Sequence, residues 1–402
     1  MNRKYPYLFY VFFLFLPVLF CAVFMTGINQ VRAQEMVPDE QTTVKAQVLE
    51  IIKNETKEIP GTDTQGNFQT IRVKILEGKE EGKEVTVEND YLNLDKGEVF
   101  YLMHTSNSAD GSDYYSVSEP YRLPHMVILI GIFVVGVFLL GGIQGIRGLV
   151  SLIGSFLIIL YVLLPGILHG YSPLSLTILV SSLIIIIGSY ITHGFNKTTT
   201  SAVVGMVVTV LFTGLLAYWS VGFTKLSGFG SEDVVYLNLN ARGTIDVVGL
   251  LLGGIMIGLL GVLYDVAIGQ AISVEELMRI APHVHKRVIY KRAIRIGREH
   301  IGALVNTLAI AYVGASLPLL LIFYQSSSAS MANLINKEIF ATEIVRTLIG
   351  SIGLILAVPI TTFISVWLLS KKKKGQMYED VSNTTLIEKE KQALEHAGHS
   401  HV

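Results

Sequence analysis

The chain has 402 residues, of which 51% are hydrophobic and only 16% are charged, whereas soluble domains carry about a quarter charged residues. Residues 124–222 contain only Arg147 and Lys197 among lysines and arginines, and no Asp or Glu. This distribution excludes a soluble enzyme, a fibrous protein and a disordered chain, and it predicts an integral membrane protein with one soluble insert.

The first apolar run covers residues 7–26 and follows Arg3 and Lys4. A run of about 20 residues suits a transmembrane anchor better than the shorter core of a signal peptide. We therefore predict that residues 1–33 form an uncleaved amino-terminal anchor, and removal as a signal segment before Gln34 is the alternative. Either outcome places the chain after this segment on the extracytoplasmic side.

Residues 34–122 are predicted to form an extracytoplasmic β domain. Apolar residues alternate with polar ones in five segments, as at Val44, Ala46 and Val48. This period of two, with turn signals between the segments, predicts a small all-β domain that is barrel-like, of the OB or SH3-like kind. The surface mixes both charges, which argues against nucleic acid binding. We expect a cap, or a docking module for an envelope protein partner.

Seven further apolar runs lie within residues 123–370, and each is long enough to cross a hydrocarbon core of roughly 30 Å as a helix. They are 124–142, 148–166, 173–192, 201–222, 247–268, 301–324 and 344–369. Together with the first segment they predict a membrane all-α bundle of about eight transmembrane helices. Lysine and arginine concentrate in the connections that this topology places inside, namely the loop 270–300 and the charged tail 371–402. The positive-inside rule therefore predicts a multi-pass protein of the cell membrane with both ends cytoplasmic.

The run 247–268 carries Asp265, the one carboxylate that lies well inside a predicted span. Gly254, Gly258 and Gly261 share its helix face, and small residues at this spacing allow helices to pack closely. We therefore expect this face to point into the bundle. An ionisable side chain inside a membrane is a functional hypothesis by default. The alternative is a structural carboxylate that caps or hydrogen-bonds a neighbour near the cytoplasmic end.

The next run supplies polar partners for this carboxylate. Asn306 and Thr307 are expected at the depth of Tyr264 and Asp265, so these four residues form the candidate intramembrane polar site. The alternative for Asn306 is a hydrogen bond between helices.

The last run contains a second stripe of small residues, with Gly350 and Gly353, which we predict to serve helix packing. Glu343 and Arg346 lie one turn apart at its outer end, at the depth of Asp246. An Asp246–Arg346 or Glu343–Arg346 pair is expected there, either as an outer gate or as an interface ion pair.

The connection 270–300 is expected to contain a short helix that begins at Ser273. A basic amphipathic helix follows, in which four cations recur at helical spacing: Arg287, Lys291, Arg295 and Arg298. Retention of the membrane topology explains this charge, and binding of anionic lipid or of a partner is the alternative.

Enzyme motifs are missing from the sequence. It has no His-Glu-x-x-His, no phosphate-binding Gly-Lys-Ser/Thr loop and no dinucleotide fingerprint. Tyr264-Asp265 lacks the second nearby aspartate of an aspartyl protease. The tail histidines are expected to be solvated: His396, His399 and His401. We predict no enzymatic activity, no cofactor and no metal.

Three ordered blocks resemble the YibE/F family of bacterial multi-pass membrane proteins. They are Leu263-Tyr264-Asp265-Val266-Ala267 followed by Glu275, the stretch from Gly297 through Asn306-Thr307-Leu308 and Ala311-Tyr312-Val313-Gly314 to Leu317-Pro318, and Glu343-Ile344-Val345-Arg346 with Pro359-Ile360-Thr361. The resemblance covers roughly residues 125–370. It implies a bacterial membrane protein of a family often labelled transporter-like, without a defined substrate.

Two functions are compatible with these patterns. The first is a transporter or permease for a small solute, motivated by Asp265, Asn306 and the helix kink expected at Pro359. The second is a non-transporting membrane scaffold or sensor whose β domain binds an envelope partner. The lipid bilayer is a partner in both cases.

Overall fold

The structure is a computed structural model that describes residues 40–58, 65–90, 92–106, 113–325 and 330–370. The predicted first span, with the rest of residues 1–33, and the tail 371–402 lie outside the described residues. The chain divides into two compact units between Gly142 and Ile143.

The first unit contains a five-stranded antiparallel sheet in the order β3-β2-β1-β4-β5. The strands are β1 (Glu40–Glu58), β2 (Gln65–Ile75), β3 (Glu84–Asn89), β4 (Val99–Ser106) and β5 (Asp113–Pro120). The alternating apolar side chains fill one buried face, which includes Ala46, Ile71, Val73, Phe100 and Leu102. The sheet is a half-barrel, so the predicted all-β, barrel-like domain is present in this coarser form.

Strand β1 lies at the centre of this sheet and pairs with both β2 and β4. Ala46 in β1 stands opposite Ile75 on one side and Phe100 on the other. The β1–β2 register shifts between Val48 and Glu50, as it does at a β-bulge. Such irregularities bend and twist a strand, which lets one long strand serve both halves of a curved sheet.

Helix α1 runs from Leu123 to Ile158 and is interrupted at Gly142, where φ is 53° and ψ is −141°. Glycine adopts this conformation without the steric cost that a Cβ would bring. The helix continues through a π-helical turn, Ile159–Leu163, into the short α2, Leu164–Leu168. The predicted spans 124–142 and 148–166 therefore form one helical stretch of 46 residues with a break inside it.

Eight more helices complete the described chain: α3 (Pro173–His193), α4 (Lys197–Thr224), α5 (Glu232–Asn240), α6 (Val247–Ile280), α7 (Lys286–Ala315), α8 (Leu317–Gln325), α9 (Met331–Ile335) and α10 (Glu338–Leu369). Within the described residues, five stretches are long and apolar enough to cross a membrane: α1–α2, α3, α4, α6 and α10. The pair α7–α8, bent by 70°, is a sixth if it counts as one span. The helices agree with a membrane protein, and the predicted count of eight is not reached in this part of the chain.

Helices α4 and α10 pack antiparallel through small and hydroxylated residues. Three facing pairs set the register: Ser201 with Ser365, Gly205 with Thr361, and Thr213 with Gly353. Each step along α4 is matched by an equal step back along α10, so small residues meet over about three helical turns. Small side chains let the two backbones approach closely, which replaces the hydrophobic driving force that is missing in lipid.

Residues 270–300, predicted as an inside connection, are helical almost throughout. Helix α6 continues to Ile280 and α7 begins at Lys286, so only residues 281–285 connect them. Ser273, where a new helix was expected, lies inside α6 and its hydroxyl donates a hydrogen bond to the carbonyl of Gly269 at 2.9 Å. A serine inside a helix can bond back to its own backbone in this way, so the apparent capping box starts no helix.

Candidate functional site

Asp265 lies on a face of α6 that the structure leaves exposed. An added Cβ at Gly254 or Gly261 would have open space around it. Asp265 forms no hydrogen bond or ion pair with the residues that the structure describes. Of the predicted face, Gly254, Gly261 and Asp265 are thus directed away from the neighbouring helices, whereas Gly258 contacts α7. The larger apolar face of α6, with Leu259 and Leu263 fully buried, faces the neighbouring helices instead because it offers more contact area.

Tyr264 points in another direction from its neighbour Asp265. Its ring packs against the buried core, and the ring centroid lies 5.9 Å from that of His193 at the end of α3. His193, Thr199 and Glu275 help line a small cavity of about 120 Å³ at this end of α3 and α6. The sequence gives no signal that His193 belongs to a site, because a histidine at a predicted span end is usually solvated.

Asn306 and Thr307 are exposed on α7. The Thr307 hydroxyl donates a hydrogen bond within its own helix, to the carbonyl of Ala303 at 2.9 Å. Helix α7 runs antiparallel to α6, and the close pairs Gly258–Tyr312 and Gln270–Gly297 place Asp265 near the level of Ala303. The four residues of the predicted polar site thus share a depth, but no hydrogen bond joins the two helices at this level among the described residues.

Tyr312 is the residue that brings two of the predicted glycines together. A Cβ added to Gly258 on α6 would lie 2.6 Å from the Tyr312 hydroxyl oxygen. A Cβ added to Gly350 on α10 would lie 3.9 Å from a carbon of the same ring. Glycines on two helices therefore make room for one large side chain from a third. The Tyr312 hydroxyl is buried and has no hydrogen-bond partner among the described residues.

The bend between α7 and α8 lies one turn beyond Tyr312, at Ser316. The backbone N–H of Ser316 donates to the Tyr312 carbonyl at 3.0 Å and ends the hydrogen-bonded run of α7. Pro318 follows in the first turn of α8, where a missing N–H and a preset φ favour a new helix start. The residues predicted as one span, 301–324, are consequently divided between two helices that are bent by 70°.

An ion pair from α10 faces this bend. Arg346 Nη1 donates to Glu343 Oε1 at 2.8 Å, and the Ser316 hydroxyl donates to Glu343 Oε2 at 3.3 Å. The side chains of Arg346 and Glu343 are 30% and 25% exposed. Asp246 does not take part, because its carboxylate accepts the backbone N–H of Gly249 at 2.9 Å and caps the start of α6. Of the two outer pairs considered, the structure forms Glu343–Arg346.

Two hydrogen-bond donors beside this ion pair are buried without a partner among the described residues. They are Arg346 Nε and the Tyr312 hydroxyl. A buried donor that lacks an acceptor costs about 1–3 kcal/mol, and more when the group is charged. An acceptor oxygen, such as that of a carboxylate or phosphate, would satisfy these donors, but both atoms are buried and an acceptor can reach them only after the surrounding side chains move.

Gln270 forms a buried junction of three helices at the other end of the unit. Its Nε2 donates to the carbonyl of Ala293 on α7 at 2.8 Å and to the Thr362 hydroxyl on α10 at 2.7 Å. The residue is 4% exposed. Gln270 lies just beyond the predicted span 247–268, where polar residues are common, so the sequence does not predict this junction.

The predicted packing glycines have different surroundings. A Cβ on Gly353 would lie 2.7 Å from Thr213 Oγ1 and 2.9 Å from a methyl carbon of Leu259. Gly350 lies against Leu308, and Gly258 lies against Tyr312, whereas nothing surrounds Gly254 or Gly261 within 4 Å. In the part of the chain that the structure describes, no group of three or more His, Cys, Asp or Glu residues could hold a metal ion.

Comparison with known proteins gives one family. The family model described as YibE/F-like protein matches residues 129–371, which is more than half of the 402 residues. No curated protein and no solved structure matches the chain. The matched region contains the bent span, the Glu343–Arg346 pair and Tyr312. The chain therefore belongs to the YibE/F-like protein family.

Proposed function

We propose that this protein is a transporter or permease for a small solute. The observation that carries the proposal is the broken span α7–α8, which bends by 70° directly beside the Glu343–Arg346 ion pair. Irregular backbone inside a membrane is tolerated where protein or a water-filled cavity covers it, and discontinuous helices form the solute sites of many transporters. Ionisable residues in spans commonly mark solute or ion pathways.

The chemistry of this site favours a solute with an anionic or strongly accepting group. Among the described residues, Arg346 Nε and the Tyr312 hydroxyl are donors that lack a partner, and the one hydrogen bond from the guanidinium to Glu343 comes from Nη1. An incoming carboxylate or phosphate can take the free donors and compete with Glu343 for the rest. Rearrangement of this pair then couples solute entry to movement of α10 against α7.

We also propose eight spans with both ends cytoplasmic in the cell membrane. The stretch Leu123–Leu168 contains 46 residues, or about 69 Å of helix, and supports two crossings of a roughly 30 Å core. The other crossings are residues 7–26, α3, α4, α6, the bent pair α7–α8 and α10. The concentration of lysine and arginine at the end of α6 and in the first half of α7 supports the orientation.

Reconstitution of the full-length protein into liposomes tests the transport proposal. A panel of small carboxylates, phosphates and neutral solutes is screened by electrophysiology on solid supports and by radiolabel uptake. Arg346→Gln should lower the flux of the accepted solute at least tenfold. The matched control is Arg122→Gln, which breaks an exposed pair of the same spacing with Glu119 and should leave the flux unchanged. Absence of protein-dependent flux, or unchanged flux in folded Arg346→Gln protein, refutes the proposal.

The predicted role of Asp265 is tested in the same liposomes with Asp265→Asn. The exposed carboxylate is expected to affect flux only if it faces the solute or ion path, so a severalfold loss would add it to the mechanism. Unchanged flux at normal expression would remove it. The neighbouring change Gly261→Ala, which meets no atom within 4 Å, serves as the control for altered helix surface.

A cavity in the β domain favours the second candidate function, a scaffold or sensor that binds an envelope partner. It measures about 470 Å³, within the usual range of ligand pockets, and Val44, Ile75, Glu77 and His104 are among its lining residues. Deletion of residues 42–120 separates the two functions. Flux that survives the deletion supports transport by the membrane helices, whereas loss of function in a correctly folded membrane domain supports the scaffold.

A further inference from the structure

The amino-terminal half of α7 carries an unusual set of charges. Residues 286–298, which we call the basic segment, contain six cations and no Asp or Glu: Lys286, Arg287, Lys291, Arg292, Arg295 and Arg298. All six side chains are exposed. None of them lies within 4 Å of a carboxylate oxygen among the described residues, although Arg279 nearby is paired with Glu276 at 2.6 Å. Glu299 follows the segment directly on the same helix, so residues 286–299 keep a formal charge of +5.

Packing holds these charges outward. Ile289, Ala293 and Gly297 recur every four residues and are buried. They face α6 and α10, where the carbonyl of Ala293 accepts the hydrogen bond from Gln270. Because this face is fixed, the helix cannot rotate to bring its cations toward the protein. Val288 and Ile296, 40% and 38% exposed, lie among the cations and add apolar surface.

Only Glu299 and His300 separate the basic segment from an apolar half of the same helix that suits the membrane. Helix α7 runs without an internal break from Lys286 to Ala315, and residues 301–315 contain no charged residue. At 1.5 Å per residue, Arg298 and Arg295 lie about 5 and 9 Å along the helix from Ile301. Both distances fall within the Debye length of about 10 Å at 0.1 M salt, over which a charged membrane surface acts.

We propose that the basic segment binds the anionic headgroups of membrane lipids, with Arg295 and Arg298 as the nearest contacts. Lipid phosphates are the anions that necessarily lie beside a helix emerging from the bilayer. Clusters of four to eight lysines and arginines at this position attract anionic lipids. Arginine also pairs with phosphate in a bidentate manner. This inference does not depend on the transport proposal.

The two tryptophans of the chain provide built-in reporters. Val366 shares a buried cluster with Ile289 and Ala293, and the adjacent Trp367 is 53% exposed. Trp219 on α4 is 65% exposed. Since α4 and α10 are antiparallel, Trp219 lies at the opposite end of the bundle. Trp367 therefore reports lipid beside the basic segment, and Trp219 reports lipid at the far side.

The test uses full-length Trp219→Phe and Trp367→Phe proteins in phosphatidylcholine vesicles. Each vesicle contains one-tenth brominated lipid, which is either phosphatidylglycerol or phosphatidylcholine, and bromine quenches nearby tryptophan. In the Trp219→Phe protein, brominated phosphatidylglycerol should quench Trp367 more strongly than brominated phosphatidylcholine does, with an apparent association constant at least severalfold higher. In the Trp367→Phe protein, the two lipids should quench Trp219 equally. Raising the salt concentration should reduce the excess.

Four lysines, Lys371 to Lys374, follow Trp367 closely in the sequence and could also attract anionic lipid. Charge variants therefore decide whether the basic segment causes the stronger quenching of Trp367 by the anionic lipid. Changing Arg292, Arg295 and Arg298 together to glutamine should remove most of the excess quenching, whereas the same three changes to lysine should retain it. Equal quenching of Trp367 by both lipids overturns the proposal. An excess that persists in the folded glutamine variant overturns it as well.

Discussion

Replacing Gly205 with alanine tests whether α4 and α10 pack as closely as the structure shows. A Cβ at Gly205 would lie 2.6 Å from Thr361 Oγ1 and 3.0 Å from Thr361 Cα. The hydroxyl can rotate away, but the α-carbon belongs to the backbone of α10. The two helices must therefore separate by several tenths of an ångström. This separation also weakens the contacts between the helices at Ser201–Ser365 and Thr213–Gly353.

The magnitude follows from two opposing effects. Adding a methyl group to a well-packed site costs about 1–3 kcal/mol. Replacing glycine with alanine inside a helix stabilises the folded state by about 0.5–1 kcal/mol, because alanine loses less backbone entropy on folding. The net loss of unfolding free energy in Gly205→Ala should be about 1–2 kcal/mol. Gly254→Ala is the matched control, because its Cβ meets nothing within 4 Å, and it should gain about 0.5–1 kcal/mol.

Unfolding by sodium dodecyl sulfate in mixed micelles measures this difference. Intrinsic fluorescence follows the transition, since Trp219 and Trp367 lie on the two helices in question. The two variants should shift the midpoint in opposite directions. The packing argument fails if Gly205→Ala is as stable as the unchanged protein, or if both alanine variants lose stability equally.

Two further predictions concern polar contacts. Gln270→Leu keeps the side-chain volume but removes the hydrogen bonds to Ala293 and Thr362. The same detergent titration should therefore show a loss of about 1–2 kcal/mol in unfolding free energy. An unchanged midpoint would contradict the three-helix junction. In the β domain, Lys83 and Tyr115 hold the pKa of Glu80 below its ordinary value. The stabilisation from this lowered pKa is present above about pH 4.3 and is lost as the pH falls through the folded-state pKa. Hydrogen-exchange protection of β3 and β5 should therefore drop between pH 7 and pH 3, and less so in Glu80→Gln; an equal drop in both proteins would refute this.

At the candidate site, the sequence predicts which residues share a helix face but not which face packs against the neighbouring helices. Helical spacing correctly groups Gly254, Gly258, Gly261 and Asp265 on one face, because that grouping depends only on 3.6 residues per turn. It does not say which face packs. The opposite face offers Leu259 and other large side chains, and their greater apolar area turned it toward the bundle.

Tyr312 is a second example, because its contacts join three helices that are far apart in the sequence. The sequence shows glycines on two helices, Gly258 and Gly350, but their common partner comes from a third helix. Residues 258 and 350 are separated by more than 90 positions, so only the packed structure brings them to one aromatic ring. A facing pair of glycines is a signal that a large side chain fills the gap, and the gap can be recognised only once the helices are paired.

Local patterns in the sequence determined the membrane class and the β domain inserted before the helices, and they left two candidate partners for Arg346, Asp246 and Glu343. These features depend on composition and on contacts between near neighbours. Tertiary structure alone decided that α7 ends in a bend at Ser316, that Glu343 and not Asp246 pairs with Arg346, and that Asp265 is exposed. Each of these outcomes depends on which helix faces compete for burial, and that competition is settled by residues far apart in the chain.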